Sequence, residues 1–167
     1  MSGPGEPGPT GTTPRGDGSH RASERWITCA AGHRHWGAFG AAGMLISTSG
    51  SDGDLHLVVR RALWVHEGGT WSIPGGARHA DETAEAAAAR ETVEEIGPLP
   101  EFSVLSVGTE DCGGGWTFTT VRAAVAAPFS GRLSAEVDDV RWLAVREFAG
   151  LALHPGFRDY LERHQLL

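Results

Sequence analysis

The segment that most constrains the fold of this chain is the alanine- and glutamate-rich run DETAEAAAARETVEEI at residues 81–96. Alanine and glutamate are strong helix formers, so the run predicts a helix of about four turns. We expect Asp81 to cap its first turn, because a short carboxylate accepts hydrogen bonds from free amides at a helix start. Gly97 follows the run and is suited to end the helix.

Strand-like segments lie on both sides of this helix. Residues 55–59 alternate apolar and other side chains, and residues 117–122 repeat that period of two. The predicted strands are 38–46, 55–64, a short one within 71–76, 102–107, 116–126 and 137–145. A second helix is predicted at 156–165. Strands before and after a central helix predict an α/β fold, a sandwich built on a mixed sheet.

The chain divides into a tail and one domain. Residues 1–24 are rich in Gly, Pro, Ser and Thr and hold few large apolar side chains. Such a segment cannot bury enough surface to offset its ordering entropy, so we expect it to be disordered. From residue 25 the composition becomes apolar and aromatic, which predicts a single domain over 25–167.

Composition excludes several classes of function. The formal net charge of −7 disfavours a nucleic-acid binder, which normally carries a basic surface. All basic residues other than histidine are arginine, so a P-loop lysine and a Schiff-base lysine are excluded. Apolar runs are too short for a membrane span, and the N-terminus lacks the apolar core of a signal peptide. With only two cysteines, we expect a cytoplasmic protein.

Three glutamates share one face of the predicted central helix. Glu91, Glu94 and Glu95 stand at i, i+3 and i+4, where like charges weaken an isolated helix. A hard divalent cation such as Mg²⁺ would make the interaction favourable, because it binds carboxylates together with substrate phosphates. The alternative is a solvated acidic face. The run WSIPGG at 71–76 favours the metal, since a Pro-Gly-Gly turn lets the backbone approach a ligand.

The spacing of these residues resembles a known family signature. It reads Gly76, five residues, Glu82, seven residues, then Arg90-Glu91-Thr92-Val93-Glu94-Glu95-Ile96-Gly97. This resembles the Nudix box, with every charged and glycine position filled. Thr92 and Pro98 stand where the family usually has bulky aliphatic residues. The resemblance implies a Nudix-type α/β/α sandwich.

The resemblance also implies an activity and its metal ion. Nudix proteins hydrolyse a nucleoside diphosphate linked to another moiety, so we expect a Mg²⁺-dependent hydrolase, with Mn²⁺ as a substitute. The small domain most resembles the MutT-type nucleotide pyrophosphatases. The substrate is then a small nucleotide of the nucleoside triphosphate or NDP-sugar class. The oligomeric state stays open, a homodimer being one option. The alternative is a Nudix-like domain that senses a ligand without catalysis.

Individual roles follow from the same resemblance. The metal-binding positions are Gly75 (through its carbonyl), Glu91, Glu94 and Glu95. The structural positions are Gly76, Glu82, Arg90 and Gly97, with Arg90 and Glu82 pairing. Catalysis is assigned to Glu91, Glu94 and Glu136, with Glu91 as a further ligand or as the water-activating base. Glu136 resembles an acid that the family supplies from outside the box; its rivals are Glu110, Asp111 and Asp138.

Substrate contacts are predicted from residue chemistry alone. Arg60 or Arg61 could bind a phosphate, or each could be a solvated strand residue. Four aromatic residues outside the box could stack on a nucleobase or pack in the core. They are Trp36, Phe39, Trp116 and Phe118.

A separate pattern near the start of the domain involves cysteine and histidine. Cys29, His33 and His35 form C-x3-H-x-H and could be zinc ligands. A closed site needs a fourth ligand, which Cys112, His20 or an acid would supply. The alternative is a strand or turn with a buried cysteine and polar histidines.

Overall fold

The structure, a computed structural model, describes residues 23–167. The predicted tail of residues 1–24 lies outside the described residues except for Ser23 and Glu24, so it remains a prediction. His20, one option for a fourth zinc ligand, also lies outside them.

The described residues form short N-terminal strands followed by longer strands on either side of a central helix. The strands are β1 (Trp26–Thr28), β2 (Arg34–Trp36), β3 (Ala41–Gly50), β4 (Gly53–Arg61), β5 (Trp71–Ser72), β6 (Gly75–Ala77), β7 (Phe102–Asp111), β8 (Thr117–Val125) and β9 (Val137–Ala144). The helices are α1 (Ala84–Ile96), a 3₁₀ helix (Val145–Gly150) and α2 (Pro155–Arg163).

The main sheet contains both parallel and antiparallel pairs. Its path runs β5-β4-β3-β8-β7, with β6 also paired to β3 and β9 to β4. β3 and β8 are parallel, and the other pairs of this sheet are antiparallel. β1 and β2 form a separate antiparallel hairpin. The prediction of an α/β fold with a mixed sheet is confirmed.

Apolar side chains cover the two faces of the main sheet. On one face Met44 and Ile46 of β3 pack with Ala87 and Ala88 of α1. On the other face Leu45 packs with residues of β4, the 3₁₀ helix and α2. Because side chains alternate along a strand, β3 supplies both cores from consecutive residues. The three layers are those of the predicted sandwich.

The start of the central helix differs from the prediction. Asp81 does not cap it; Thr83 does, with a side-chain oxygen that accepts a hydrogen bond from the Ala86 amide at 3.1 Å. Residues 79–82 instead form a turn, in which the Glu82 carboxylate accepts from the His79 amide. The predicted end is confirmed, since Gly97 has a φ of 86° and its amide donates to the Val93 carbonyl.

Several strand limits also differ, each for a structural reason. The predicted strand at 71–76 is divided into β5 and β6, because its first part pairs with β4 and its glycines pair with β3. β7 extends beyond the predicted residue 107 to Asp111, where it still pairs with β8. The hairpin of β1 and β2 was not predicted as a pair, since each strand has only three residues.

The last helix is short and begins with a histidine cap. α2 starts after His154, whose Nδ1 atom accepts a hydrogen bond from the Gly156 amide at 3.1 Å.

Within the described part of the chain, no helix is long and apolar enough to cross a membrane.

His154 should make stability depend on pH. Burial, aided by the positive charge of Arg61, lowers the pKa of His154 from 6.5 to about 4. The unfolded chain therefore binds a proton at a pH where the folded protein does not, so acidification through this window favours unfolding. We expect the free energy of unfolding to fall by up to about 2 kcal/mol from this group.

Urea unfolding at pH 7 and at pH 4.5 measures this effect. His154→Asn keeps a side-chain cap but cannot be protonated, so it should lose less stability on acidification than the wild type. His164→Asn removes an exposed histidine at the other end of α2 and should keep the wild-type difference. An equal loss in the wild type and in His154→Asn would contradict the assignment.

Candidate active site

Two consecutive glycines allow the turn before α1 to lie in close contact with the helix. The Gly75 amide donates to Oε2 of Glu95 at 3.3 Å. A Cβ atom on Gly75 would lie 2.4 Å from the Ala42 carbonyl oxygen, and one on Gly76 would lie 2.5 Å from the Glu91 carboxylate. Only glycine permits this approach, so the glycine pair brings the backbone directly onto the glutamate face.

Arg90 ties the start of the motif to its end. Its Nε and Nη2 atoms donate to Glu82 at 2.9 and 3.0 Å, and Nη2 also donates to the Ala77 carbonyl. Its Nη1 atom donates to Glu91 at 2.8 Å and to Glu94 at 3.2 Å. Burial opposes ionisation of Glu82, but the hydrogen bonds from Arg90 lower its pKa below the ordinary value. The predicted pair of Arg90 and Glu82 is present in the structure.

The three glutamates of α1 differ in exposure. Glu95 is 8% exposed, and its burial raises its pKa to about 8 even though the charge of Arg61 opposes the shift. The side chain of Glu91 is 17% exposed, and burial raises its pKa as well. The side chain of Glu94 is 57% exposed. The face therefore extends from a buried carboxylate to one open to solvent.

Glu136 lies near this face although it is far away in sequence. It directly precedes β9, and its carbonyl accepts from the Ala62 amide at 2.8 Å, which fixes it beside the end of β4. Its negative charge contributes to the raised pKa values of both Glu91 and Glu95. The pairing of β9 with β4 thus brings a fourth carboxylate to the group.

Two of the rival acids have other partners. Glu110 forms an ion pair with Arg163 at the end of α2 and lies 3.5 Å from Nε2 of His164, the next residue. Asp111 accepts hydrogen bonds from three successive amides of residues 113–115. Asp138 is exposed on β9. These contacts favour Glu136 over Glu110 and Asp111 as the additional acid.

The oxygen-rich donor set fits a hard divalent cation. Glu91, Glu94, Glu95 and Glu136 would carry four negative charges when all are ionised, and the positive charges nearby are those of Arg90, which acts on Glu91, and Arg61, which acts on Glu95. A cation bound by several of these carboxylates would neutralise the negative charge that the two arginines do not balance. It would also offset the free-energy cost of burying an ionised Glu95. The site can accordingly hold a metal ion that prefers oxygen ligands.

A cavity of about 670 Å³ opens beside the glycine turn. Gly75 lies in its wall, as do Arg61, Trp116 and Phe118. A volume of this size can accept a nucleotide-sized ligand. Gly75 therefore connects the two features, since it lies in the cavity wall and its amide donates to Glu95.

The predicted substrate residues separate into two groups. Arg61, Trp116 and Phe118 line the cavity. Arg60 lies outside it with its guanidinium 6.0 Å from the Trp71 ring, and Trp36 packs against Trp26. Phe39 is also outside the cavity wall and 38% exposed. Arg60 and Arg61 are adjacent at the end of β4, where the pairing register with β9 shifts between them, and of the two only Arg61 lines the cavity.

Two histidines of the cavity wall were not predicted. His66 follows β4, and its carbonyl accepts from Nε of Arg61 at 2.9 Å. His154 precedes α2. Both line the cavity with Arg61, although His154 lies 88 residues after His66 in the sequence. Such isolated histidines carry no spacing signal, so only the fold could reveal them.

Comparison with known proteins identifies the class. The family model described as the NUDIX domain matches residues 39–164, which cover most of the chain. The chain belongs to the Nudix hydrolase family.

Two curated relatives give more particular similarities. One is a Mycobacterium tuberculosis protein whose name proposes that it is an 8-oxo-dGTP diphosphatase; it is 40% identical over 156 residues, 89% of this chain and 70% of the relative. The other is a Bifidobacterium longum fusion of a nucleoside triphosphate pyrophosphatase with a Nudix hydrolase, 40% identical over 117 residues, which are 68% of this chain and 24% of that protein.

Solved structures agree with the fold. The Nudix hydrolase RenU of M. smegmatis has a TM-score of 0.77 and 37% identity, covering 85% of this chain and 92% of RenU. An Ap4A hydrolase of C. elegans in a binary complex has a TM-score of 0.59 at 22% identity, covering 75% of this chain and 91% of that one. The second likeness shows the shared fold alone.

Proposed function

We propose that this chain is a Mg²⁺-dependent hydrolase that cleaves the pyrophosphate bond of a nucleoside triphosphate or of another nucleoside diphosphate derivative. The observation that carries the proposal is the contact of the Gly75–Gly76 turn with the carboxylates of Glu91 and Glu95, at the wall of a cavity of nucleotide size. This arrangement supports the proposal, because carboxylates that could bind a metal ion lie beside a volume lined by aromatic and cationic groups.

Each residue of the site has a role in that reaction. A bound Mg²⁺ would neutralise phosphate charge and lower the pKa of a coordinated water. Glu94 and Glu95 are proposed as its ligands, together with the Gly75 carbonyl and Glu91. A carboxylate within reach of the attacking water would accept its proton as the oxygen bonds to phosphorus and the anhydride P–O bond breaks. Glu91 and Glu136 are the two candidates for that base.

The cavity wall suits a nucleotide. Trp116 and Phe118, with ring centres 6.5 Å apart, offer apolar surface for a base, and Arg61 offers a cation for a phosphate. The name of the M. tuberculosis relative directs the first choice of substrate to 8-oxo-dGTP. Ordinary nucleoside triphosphates and an NDP-sugar are the necessary comparisons.

A substrate panel tests the proposal. Purified protein is incubated with each compound in Mg²⁺, in Mn²⁺ and in excess chelator, and the products are separated by anion-exchange chromatography. With Mg²⁺ we expect at least one compound to be cleaved, a nucleoside triphosphate giving phosphate or pyrophosphate and an NDP-sugar giving a nucleoside monophosphate and a sugar phosphate. We expect a slower or similar reaction with Mn²⁺ and none with chelator. Saturable binding without turnover would contradict the enzymatic proposal and support the ligand-sensing alternative.

A further inference from the structure

Two cysteines and two histidines converge away from the glutamate face. One ligand atom from each of Cys29, His33, His35 and Cys112 lies within 4.8 Å of the others. The Cys112 sulfur is 2.9 Å from the Cys29 sulfur, 2.8 Å from Nε2 of His35 and 3.4 Å from Nδ1 of His33. Both cysteines are free thiols. Three members come from one short segment and the fourth from 77 residues further along the chain.

The hairpin of β1 and β2 places the first three members side by side. Cys29 follows β1, and its amide donates to the His33 carbonyl at 2.9 Å across the turn. His33 directly precedes β2 and His35 lies within it, and both imidazoles approach the Cys112 sulfur. The hairpin therefore directs both imidazoles and the Cys29 thiol toward one point.

The loop between β7 and β8 supplies the fourth member and is itself well fixed. The Cys112 amide donates to the Trp116 carbonyl at 3.0 Å, which closes the loop. The Asp111 carboxylate accepts from the three glycine amides of residues 113–115, at 2.8 to 3.2 Å. These bonds hold Cys112 in place without any contribution from the hairpin.

The loop and the hairpin approach each other closely at the cluster. A Cβ atom on Gly114 would lie 2.2 Å from the Ala30 amide nitrogen, so the two backbones meet there. The Trp116 indole donates to the Gly37 carbonyl at 2.8 Å, and the His35 ring stacks on the Trp116 ring at 4.0 Å. The four ligand atoms thus meet inside a defined contact between two segments.

We propose that Cys29, His33, His35 and Cys112 form a structural Zn²⁺ site. Two thiolates and two imidazoles are a donor set that zinc binds tetrahedrally, whereas Mg²⁺ prefers oxygen. Zn–S bonds of about 2.3 Å and Zn–N bonds of about 2.0 Å separate neighbouring ligand atoms by roughly 3.3 to 3.8 Å. The observed spacings run from 2.8 Å to at most 4.8 Å, and zinc binding would require the shorter ones to widen.

The site would give the N-terminal hairpin a fixed position. An isolated two-stranded hairpin is marginally stable in water, and β1 and β2 form a sheet separate from the main one. Zinc would join that hairpin to the β7–β8 loop. His33, His35, Cys112 and Trp116 all line the cavity, so the ion would fix one wall of the proposed substrate site. The inference itself depends only on the cluster and holds whatever the substrate is.

Metal analysis of the reduced, full-length protein without a polyhistidine tag tests the proposal. We expect about one zinc per chain after dialysis against metal-free buffer. Cobalt exchanged into the protein should show the visible bands of a tetrahedral site and a thiolate-to-cobalt charge-transfer band in the near ultraviolet. Carboxylates cannot produce the charge-transfer band, so the spectrum separates this site from the glutamate face.

Matched variants locate the ion. Cys112→Ser and His35→Ala should each lower zinc content severalfold, with circular dichroism used to check that the sheet is retained. His164→Ala, an exposed histidine outside the cluster, and Glu94→Gln should both keep the wild-type zinc content and cobalt spectrum.

The wild-type measurement alone can overturn the proposal. Reduced protein that contains no zinc and develops no thiolate-to-cobalt band on cobalt addition excludes the site. A zinc content unchanged in a folded Cys112→Ser variant would exclude this set of ligands. Hydrolytic activity enters none of these measurements, so failure here is distinguishable from failure of the proposed reaction.

Discussion

Glu94→Gln is expected to lower kcat/KM on the substrate found by the panel by about a hundredfold or more, which corresponds to a loss of about 2.7 kcal/mol of transition-state stabilisation. The substitution keeps the size of the side chain and removes the negative charge proposed to bind the metal ion. The fold should be unaffected, because this side chain is 57% exposed and its polar contact with Arg90 is at the surface.

Glu85→Gln is the matched control for this variant. Glu85 lies in the first turn of the same helix and is exposed, so this variant removes one acidic charge from α1 without touching the proposed metal site. We expect it to keep near wild-type activity. Calorimetric titration with Mg²⁺ should show weaker binding for Glu94→Gln only. Near-normal turnover by Glu94→Gln would show that Glu94 is not a metal ligand.

Gly76→Ala is expected to lower activity by about tenfold or more with a small change in stability. The added methyl group would lie 2.5 Å from the Glu91 carboxylate, and the end of that side chain must move away. Since Glu91 is held by Arg90 at 2.8 Å, the movement would disturb the charge arrangement of the entire face. The backbone need not shift, so thermal unfolding should change little.

Gly108→Ala and Gly75→Ala provide the contrast. A Cβ atom on Gly108 in β7 would meet no atom within 4 Å, and we expect wild-type activity and stability. A Cβ atom on Gly75 would meet backbone atoms of residues 42 and 43, so that variant should lose stability as well as activity. If Gly76→Ala were as active as Gly108→Ala, activity would not depend on the exact position of the Glu91 carboxylate.

The sequence predicted the motif well because most of its constraints are local. Helix periodicity placed Glu91, Glu94 and Glu95 on one face, and the structure has them on one helix as expected. The pair of Arg90 and Glu82 followed from the family resemblance and is present. Asp81 as the helix cap was wrong, because the hydrogen bonds of Glu82 to Arg90 and His79 shape a turn before the helix and leave Thr83 as the cap.

For residues outside the motif the sequence left alternatives open, and the reason is the same for each. The choice between Arg60 and Arg61 depends on the irregular pairing of β4 with β9 between these two residues and on the position of the cavity. The choice between Glu136 and Glu110 depends on the pairing of β9 with β4 and on the ion pair of Glu110 with Arg163. Neither pairing is visible in a single sequence, because both join residues that are far apart along the chain.

The sequence by itself determined the class of fold, the family and the acidic face of the central helix. The fold class follows from the order of locally patterned segments, and the other two follow from residue spacing within one segment. Only the tertiary structure decided which further acid lies near that face and which cysteine completes the cluster of cysteine and histidine side chains. It brought Glu136 toward the glutamates and Cys112 to the cysteine and histidines of the hairpin. The physical reason is that contacts between distant segments are fixed by strand pairing and by packing of the whole core, and a local pattern records neither.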